Sequence, residues 1–599
     1  MNRLLIAGVA GIMSASIVLA QPATQPAARQ IAEIPLDGEI VETATLSPFA
    51  LGELPDTLRR LVDRIDKART DQQVSAIVLT VDQPVMGLAQ IQELRAAIAA
   101  VRAAGKTVHC HVQTESLGGY LVATAADRIA LTPTAGVWLM GLHGEALYLK
   151  GLLDKLGLAA DMLHCGDYKT APEMFTRTGP SDAAKEQFDW YFDDIYRQMI
   201  EAVADGRGMK PDAVQKLIDR GPFTAGDAMT AGLVDELAHR GPFLAALGRP
   251  EGVEVATGYG VKKGPQIDFA SPFAVFKLLG EMLGAKGEPK GPTIAVVYLD
   301  GMIVTGRSER GLFGSSTVGS TKICTTLRKI KDDASVKAAV LRINSPGGSA
   351  NASDIIYDAV ADLAAVKPVV ASMGNMAASG GYYAAAAAPM VFAEPGTLTG
   401  SIGVWGGKLV WGGLLDKIGV STYPIRRGAN ADMFATTTRF TDRQREHLRR
   451  IMTSHYGRFK QRVVEGRGDR LNGEIDALAG GRIYTGAQAL DRGLIDRLGG
   501  LDAAIVEAAQ RAGVEDYTVR EIPKPKNLIE MMIDSMGLGG EDDASVSLMA
   551  EALAPRPVLA AMRSLEPRRA RAVADCLQRI ELLSSDRILM LCPLTPVEP

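Results

Sequence analysis

Residues 151 to 157, GLLDKLG, return as GLLDKIG at 413 to 419, and LGGYLVATAADRIALTP at 117 to 133 returns as SGGYYAAAAAPMVFAEP at 379 to 395. Both pairs are displaced by 262 residues, and the same offset holds from Ile77, opposite Ala339, to Lys169, opposite Ala431. Small gaps move it to 263 near the start (LDGEIV at 36, LDGMIV at 299) and to 261 near the end (TAGDAMTAGLVD at 224, TGAQALDRGLID at 485). Solenoid repeats run roughly 20–50 residues, so this period is not one of theirs. Each copy is long enough to bury a core of its own, and the chain is a tandem of two related domains.

Within each copy, strand patterns alternate with helix patterns. AAVLRIN (338 to 344) is a short apolar run, followed by a helix-period stretch through Ile355, Ile356, Ala359 and Leu363, then by PVVASM (368 to 373). The first copy agrees: SAIVLTV, then Ile91, Leu94, Ile98 and Val101 at spacings of three and four, then TVHCHV. Repeated strand–helix–strand units predict an α/β fold, parallel sheet with helices on its faces.

The first domain is expected over 34–242 and the second over 293–540. The join at 243–292 is rich in glycine, proline and lysine and carries an apolar helical patch, SPFAVFKLLGEMLG, whose cousin NLIEMMIDSMGLGG closes the second copy. Such patches suit a membrane surface, a neighbouring subunit or their own domain. At the other end, Arg3 precedes an uncharged, mostly apolar run from Leu4 to Ala20, and Val18 and Ala20 fit a cleavage site. Residues 1–20 therefore read as a secretory signal or an N-terminal membrane anchor, 21–33 as a linker, and the remainder as exported. A tail, 541–599, has no counterpart in the first copy. Its end, RILMLCPLTPVEP, is apolar and kept extended by proline. That suits a segment lying in a substrate groove or bridging subunits; the more ordinary reading is an extra helix pair on the surface.

The copies differ where chemistry belongs. In the second, a strand runs into NSPGGS, where Gly347 and Gly348 leave backbone N–H groups without side-chain cover, fit to stabilise an oxyanion. One strand later Ser379 stands at the positive end of a helix expected over 380–388, and the N–H of Gly380 is a further oxyanion donor. Loops at the carboxyl ends of adjacent parallel strands are where an α/β site lies. In the first copy Val85 and Met86 replace the two glycines and Leu117 replaces the serine, yet Lys169 stands opposite Ala431. One half has the serine without the lysine, the other the lysine without the serine. A site shared between halves accounts for both absences. A lysine is a general base only when neutral, and burial favours that form. Ser401, in LTGSIGVWGG, is the candidate to orient the amine.

The tandem layout with NSPGGS, ASGGYY, GSIGV and GDYKTAPEMF resembles the long, two-domain form of the signal peptide peptidase SppA family, over roughly Ile34 to Gly540. The resemblance implies a tandem crotonase/Clp-like fold, a Ser379 nucleophile, a Lys169 base positioned by Ser401, and an oxyanion site among Gly347, Gly348 and Gly380. It further implies apolar peptide substrates (signal peptides left in the membrane), a periplasmic, membrane-associated location and a bowl-like homotetramer, with no cofactor. Clp subunits carry a histidine about twenty-five residues past the serine; here that region reads GSIGVWGG.

Other side chains support blander roles. His109 and His111 alternate on a strand and suit a structural role, Cys165, four residues before Lys169, suits packing, and His143, opposite Trp405 in the half without the serine, reads as a relic or chance. The five cysteines are scattered without a C-x-x-C, which argues against zinc or a disulfide framework. A net charge of -4 with no dominant basic stretch gives nucleic-acid binding little support. The competing functional class is a non-catalytic scaffold, or an acyl-thioester binder, on the same fold.

Overall fold

The short apolar runs become the inner strands of two parallel sheets, one per copy. The computed structural model describes residues 30–43, 56–248, 253–261, 291–308, 317–522, 576–583 and 585–594. The expected N-terminal segment 1–20, both apolar patches and residues 541–575 of the tail lie outside these. Among the described residues no helix is long and apolar enough to cross a membrane.

The first sheet orders its strands Glu236–Leu237, Arg128–Leu131, Thr107–Val112, Val74–Val85, Gln30–Glu39 and Glu254–Ala256, every neighbouring pair parallel. Its central strands are nearly continuous apolar runs because helices cover both faces. Ile34, Leu36, Leu79 and Cys110 pack there against Leu61 and Ile65 of the helix Leu58–Thr70, and against Leu94 and Ile98 of Leu88–Ala103. The first strand begins at Gln30, inside the stretch expected as a linker, because Ile31 and Ala32 are buried and pair with Ala76 and Ile77. For the same reason the sheet reaches past residue 242: Glu254–Ala256 pairs with Gln30–Ala32, and Phe243 is buried.

The second sheet runs Ile483–Thr485, Leu398–Gly400, Val369–Ala378, Val336–Ser345, Thr293–Asp300 and Thr518–Ile522, parallel except at the first pair. The helix between its two central strands, Ala350–Ala364, buries Ile356, Val360 and Leu363, whereas Ile355 faces outward. The helix after Ser379 spans Gly380–Ala385, shorter than the sequence suggests; Pro389 lies ahead and disfavours helix in the residue before it.

A third sheet joins the two halves. Its order is Thr317–Gly319, Met302–Val304, Gly347–Ser349, Ile588–Leu591, Val404–Val410 and Ala159–Cys165. The last strand comes from the first copy and pairs antiparallel with Val404–Val410 of the second, from Val404 opposite Cys165 to Val410 opposite Ala159. Arg342 of the second copy makes a further join. Its buried guanidinium donates to Glu42 at 2.8 and 3.0 Å and to Glu93 at 2.5 Å, both carboxylates of the first copy. The tail contributes a strand of this third sheet rather than a surface helix pair: residues 576–583 are helical and Ile588–Leu591 is extended.

Candidate active site

Ser379 ends the strand Val369–Ala378 and caps the helix Gly380–Ala385. Its backbone is left-handed at φ 55°, held by its N–H to the Gly400 carbonyl at 2.7 Å and by the Tyr383 N–H to its own carbonyl at 2.8 Å. The equivalent helix in the first copy begins conventionally, with the Ser116 side chain accepting from the Gly119 N–H. Ser379 makes no such cap bond. Its Oγ is turned the other way, to Lys169.

Lys169 reaches it from the loop after Ala159–Cys165, the first copy's strand in the shared sheet. Nζ lies 2.7 Å from Ser379 Oγ, 2.9 Å from Ser401 Oγ and 2.9 Å from the Ser401 carbonyl oxygen. All three residues are fully buried. Burial pulls the Lys169 ammonium down to about 7, with the Cys592 thiol opposing that fall and the Arg579 guanidinium adding to it; no carboxylate is among the groups acting on it. A neutral amine has two N–H donors and one lone pair. Two contacts to Ser401 take the donors, and the lone pair is left for the hydroxyl of Ser379.

The lysine loop is seated by a glycine pair that sequence reasoning passed over. The Tyr168 N–H donates to the Gly480 carbonyl at 2.8 Å. A methyl group on Gly481 (φ +86°) would stand 2.4 Å from the Lys169 backbone nitrogen. The Lys169 backbone leaves no room for a side chain here, and the AGGR sequence at 479 to 482 was the available signal. On the other flank Gln187 donates to the Tyr168 carbonyl at 3.2 Å and to Thr170 Oγ1 at 2.7 Å.

Gly347, Gly348 and Gly380 converge beside Ser379. A methyl group on Gly347 (φ +100°) would lie 2.0 Å from the Met590 carbonyl oxygen and 2.7 Å from the Gly380 nitrogen; on Gly380 it would lie 3.2 Å from the Gly348 nitrogen. The Gly347 N–H donates to Ser345 Oγ at 3.2 Å. Sequence reasoning also missed Arg579, Cys592 and the Glu42–Arg342–Glu93 join; none sits in a motif, and only the fold brings them near.

The other sequence candidates lie elsewhere. His109 and His111 pack on Phe243, with ring centroids 6.4 and 5.6 Å away, and a ring nitrogen of His111 lies 2.9 Å from the Ala238 carbonyl oxygen. His143 is exposed, and Cys165 is half-buried against the second core. Among the described residues no cluster of histidine, cysteine and carboxylate side chains is arranged to hold a metal ion.

Comparison with known proteins now decides the family. The profile of peptidase family S49 matches twice, over residues 100–248 and 361–515, once in each copy. The chain belongs to peptidase family S49. It has the family's long, SppA-type form, and it is a serine protease. The chain is 31% identical over 526 residues to Protease 4 of Salmonella typhi, an alignment covering 85% of this chain and 81% of that one. It is 29% identical over 485 residues to the chloroplastic serine protease SPPA of Arabidopsis thaliana, covering 80% and 70%. The Clp protease profile also matches residues 312–397, the segment holding Gly347, Gly348, Ser379 and Gly380. This S49 chain is a tandem duplication of a Clp/crotonase-like α/β domain. Among solved structures, a ClpP1 variant from Listeria monocytogenes aligns with 35% of this chain and 94% of its own, at 15% identity and a TM-score of 0.23.

Proposed function

We propose that this chain is an endopeptidase in which Ser379 is the nucleophile and Lys169 the general base, the two halves 34–242 and 293–540 each supplying one of them. The observation that carries this reading is the 2.7 Å contact between a fully buried lysine nitrogen and the serine hydroxyl. Neutral Lys169 takes the Ser379 proton as Oγ attacks the peptide carbonyl. Amides of the Gly347–Gly348 turn and of Gly380 receive the oxyanion. Lys169 then protonates the leaving amine, and the acyl-enzyme is hydrolysed by water with the same nitrogen as base. Ser401 orients the amine throughout. No cofactor enters these steps.

The substrates are apolar peptides, signal peptides released into the membrane among them, degraded by an exported homotetramer at the membrane surface. The apolar N-terminal run supports that location, and the apolar residues bordering the site support that substrate class: Met376, Leu398 and Ile483 on one side, Trp405 and Met302 on the other.

The test is hydrolysis of a fluorogenic apolar peptide by wild type, Ser379→Ala and Lys169→Ala, with circular dichroism confirming that all three fold. Both substitutions abolishing turnover is the expected result. Full activity in Lys169→Ala would remove the dyad. A wild type inert on every peptide would favour the scaffold reading.

A further inference from the structure

Ser379, Lys169 and Ser401 are all inaccessible, so no peptide reaches the serine unless something moves. What covers them is the chain's own end. Ile588–Leu591 lies antiparallel to Gly347–Ser349, with Gly347 opposite Leu591, Gly348 opposite Met590 and Ser349 opposite Leu589. Its other edge pairs with Val404–Val410 through Trp405 opposite Leu589 and Gly406 opposite Ile588. Gly347–Ser349 is already bonded on its far side to Met302–Val304, and Val404–Val410 on its far side to Ala159–Cys165. Without the tail, the sheet has a slot one strand wide, roughly 10 Å between its two flanking strands.

The register then delivers Cys592 to the reacting atoms. Its N–H donates to the Pro346 carbonyl at 2.9 Å, and its buried thiol lies beside Ser401 and Lys169. Both ionisable groups acting on Lys169, Cys592 and Arg579, belong to the tail. The Cys592 carbonyl oxygen accepts from Arg579 at 2.8 Å, which holds it by a side chain of the tail itself. Pro593 follows and cannot continue the ladder, having no N–H.

We propose that residues 588–592 are an internal peptide ligand of the substrate slot, so that a substrate enters as an antiparallel strand between Gly347–Ser349 and Val404–Val410 only by displacing the tail. Peptide addition to two sheet edges is a general mode of recognition in which main-chain bonds give affinity and pockets choose side chains. The tail marks those pockets: a small apolar residue where Cys592 sits among Met376, Leu398 and Ile483, and a long one where Met590 sits in the second core. Asp586 anchors the entry, accepting from Ser349 Oγ at 2.9 Å. The tail is thus a competitive self-inhibitor. This rests on Ser379 being the nucleophile, and the test separates the two.

First, kcat/KM on a fluorogenic apolar peptide is compared for the full chain and for one ending at Arg587. A tethered segment at an effective concentration of order millimolar, binding with a Kd of order 0.1 mM, suppresses kcat/KM about tenfold, so truncation raises it by about that factor. A synthetic peptide of residues 585–594 reverses the gain. Second, the intact Ser379→Ala chain is treated with N-ethylmaleimide, with and without saturating apolar peptide, and modification of Cys592 is read by peptide mass mapping. Uncovering of Cys592 by the peptide is the expected result and needs neither truncation nor turnover. Equal kcat/KM in both chains, with Cys592 protected at every peptide concentration, overturns the proposal and makes the tail a permanent strand. If nothing is hydrolysed but the peptide uncovers Cys592, the self-ligand stands and the peptidase reading falls; if nothing is hydrolysed and Cys592 stays protected, both fall.

Discussion

Lys169 and Ser379 each depart from what their residue type does elsewhere, and each departure is measurable. Lys169 carries its proton only below about 7. In the proposed mechanism the base is its neutral form, so kcat/KM rises with pH through about 7 and levels above it, in the order opposite to a site needing an ammonium. Lys169→Arg, whose guanidinium stays charged, loses activity by about 10²–10⁴-fold across the whole profile. The same shift acts on stability. Between about 7 and the ordinary lysine value the unfolded chain holds a proton the folded chain lacks, so stability rises with pH over that window. A Lys169→Met chain, followed by thermal melts, loses that slope. Ser379 sits at φ 55°, a conformation costing a side-chain-bearing residue about 1–3 kcal/mol. Ser379→Gly therefore melts higher than Ser379→Ala, although both are inactive.

At the scale of elements, the site depends on backbones that approach too closely for side chains. Gly481 lies against the lysine loop, where an added methyl would meet the Lys169 backbone nitrogen at 2.4 Å. Gly481→Ala moves the loop and breaks the 2.7 Å Lys169–Ser379 contact; the expected outcome is a large fall in kcat with a small change in KM, measured by steady-state kinetics. The two sheets were legible in the sequence, and so was the choice of Lys169 and Ser379, which the structure brings to 2.7 Å, because a repeat compared with itself exposes where one copy keeps a chemical group and the other drops it. The strand Ala159–Cys165 was not, since its partner lies in the other copy at Val404–Val410, and periodicity reports burial, not partner. The tail was legible only as extended and apolar. Its seat between Gly347–Ser349 and Val404–Val410 is a long-range pairing that no local pattern encodes.

For the whole molecule, the join between halves is itself chemistry. Arg342 with Glu42 and Glu93 is buried, and Arg342→Met leaves two carboxylates without their cation, a loss of about 3–5 kcal/mol in denaturant unfolding. Because Lys169 and Ser379 meet within one chain, mixing Ser379→Ala and Lys169→Ala chains and refolding them together restores no activity. The same geometry fixes what can happen to the gene. Recombination between the repeats fuses some residue of the first copy to its equivalent 262 positions on. The product keeps Ser379 only when the junction falls at or before residue 117, and keeps Lys169 only when it falls at or after 169. No single crossover in this register satisfies both. With the proposed pair as the catalytic machinery, a loss of one repeat therefore always yields an inert protein, whereas a gain of one still contains a complete pair, and the duplication can lengthen but cannot be undone.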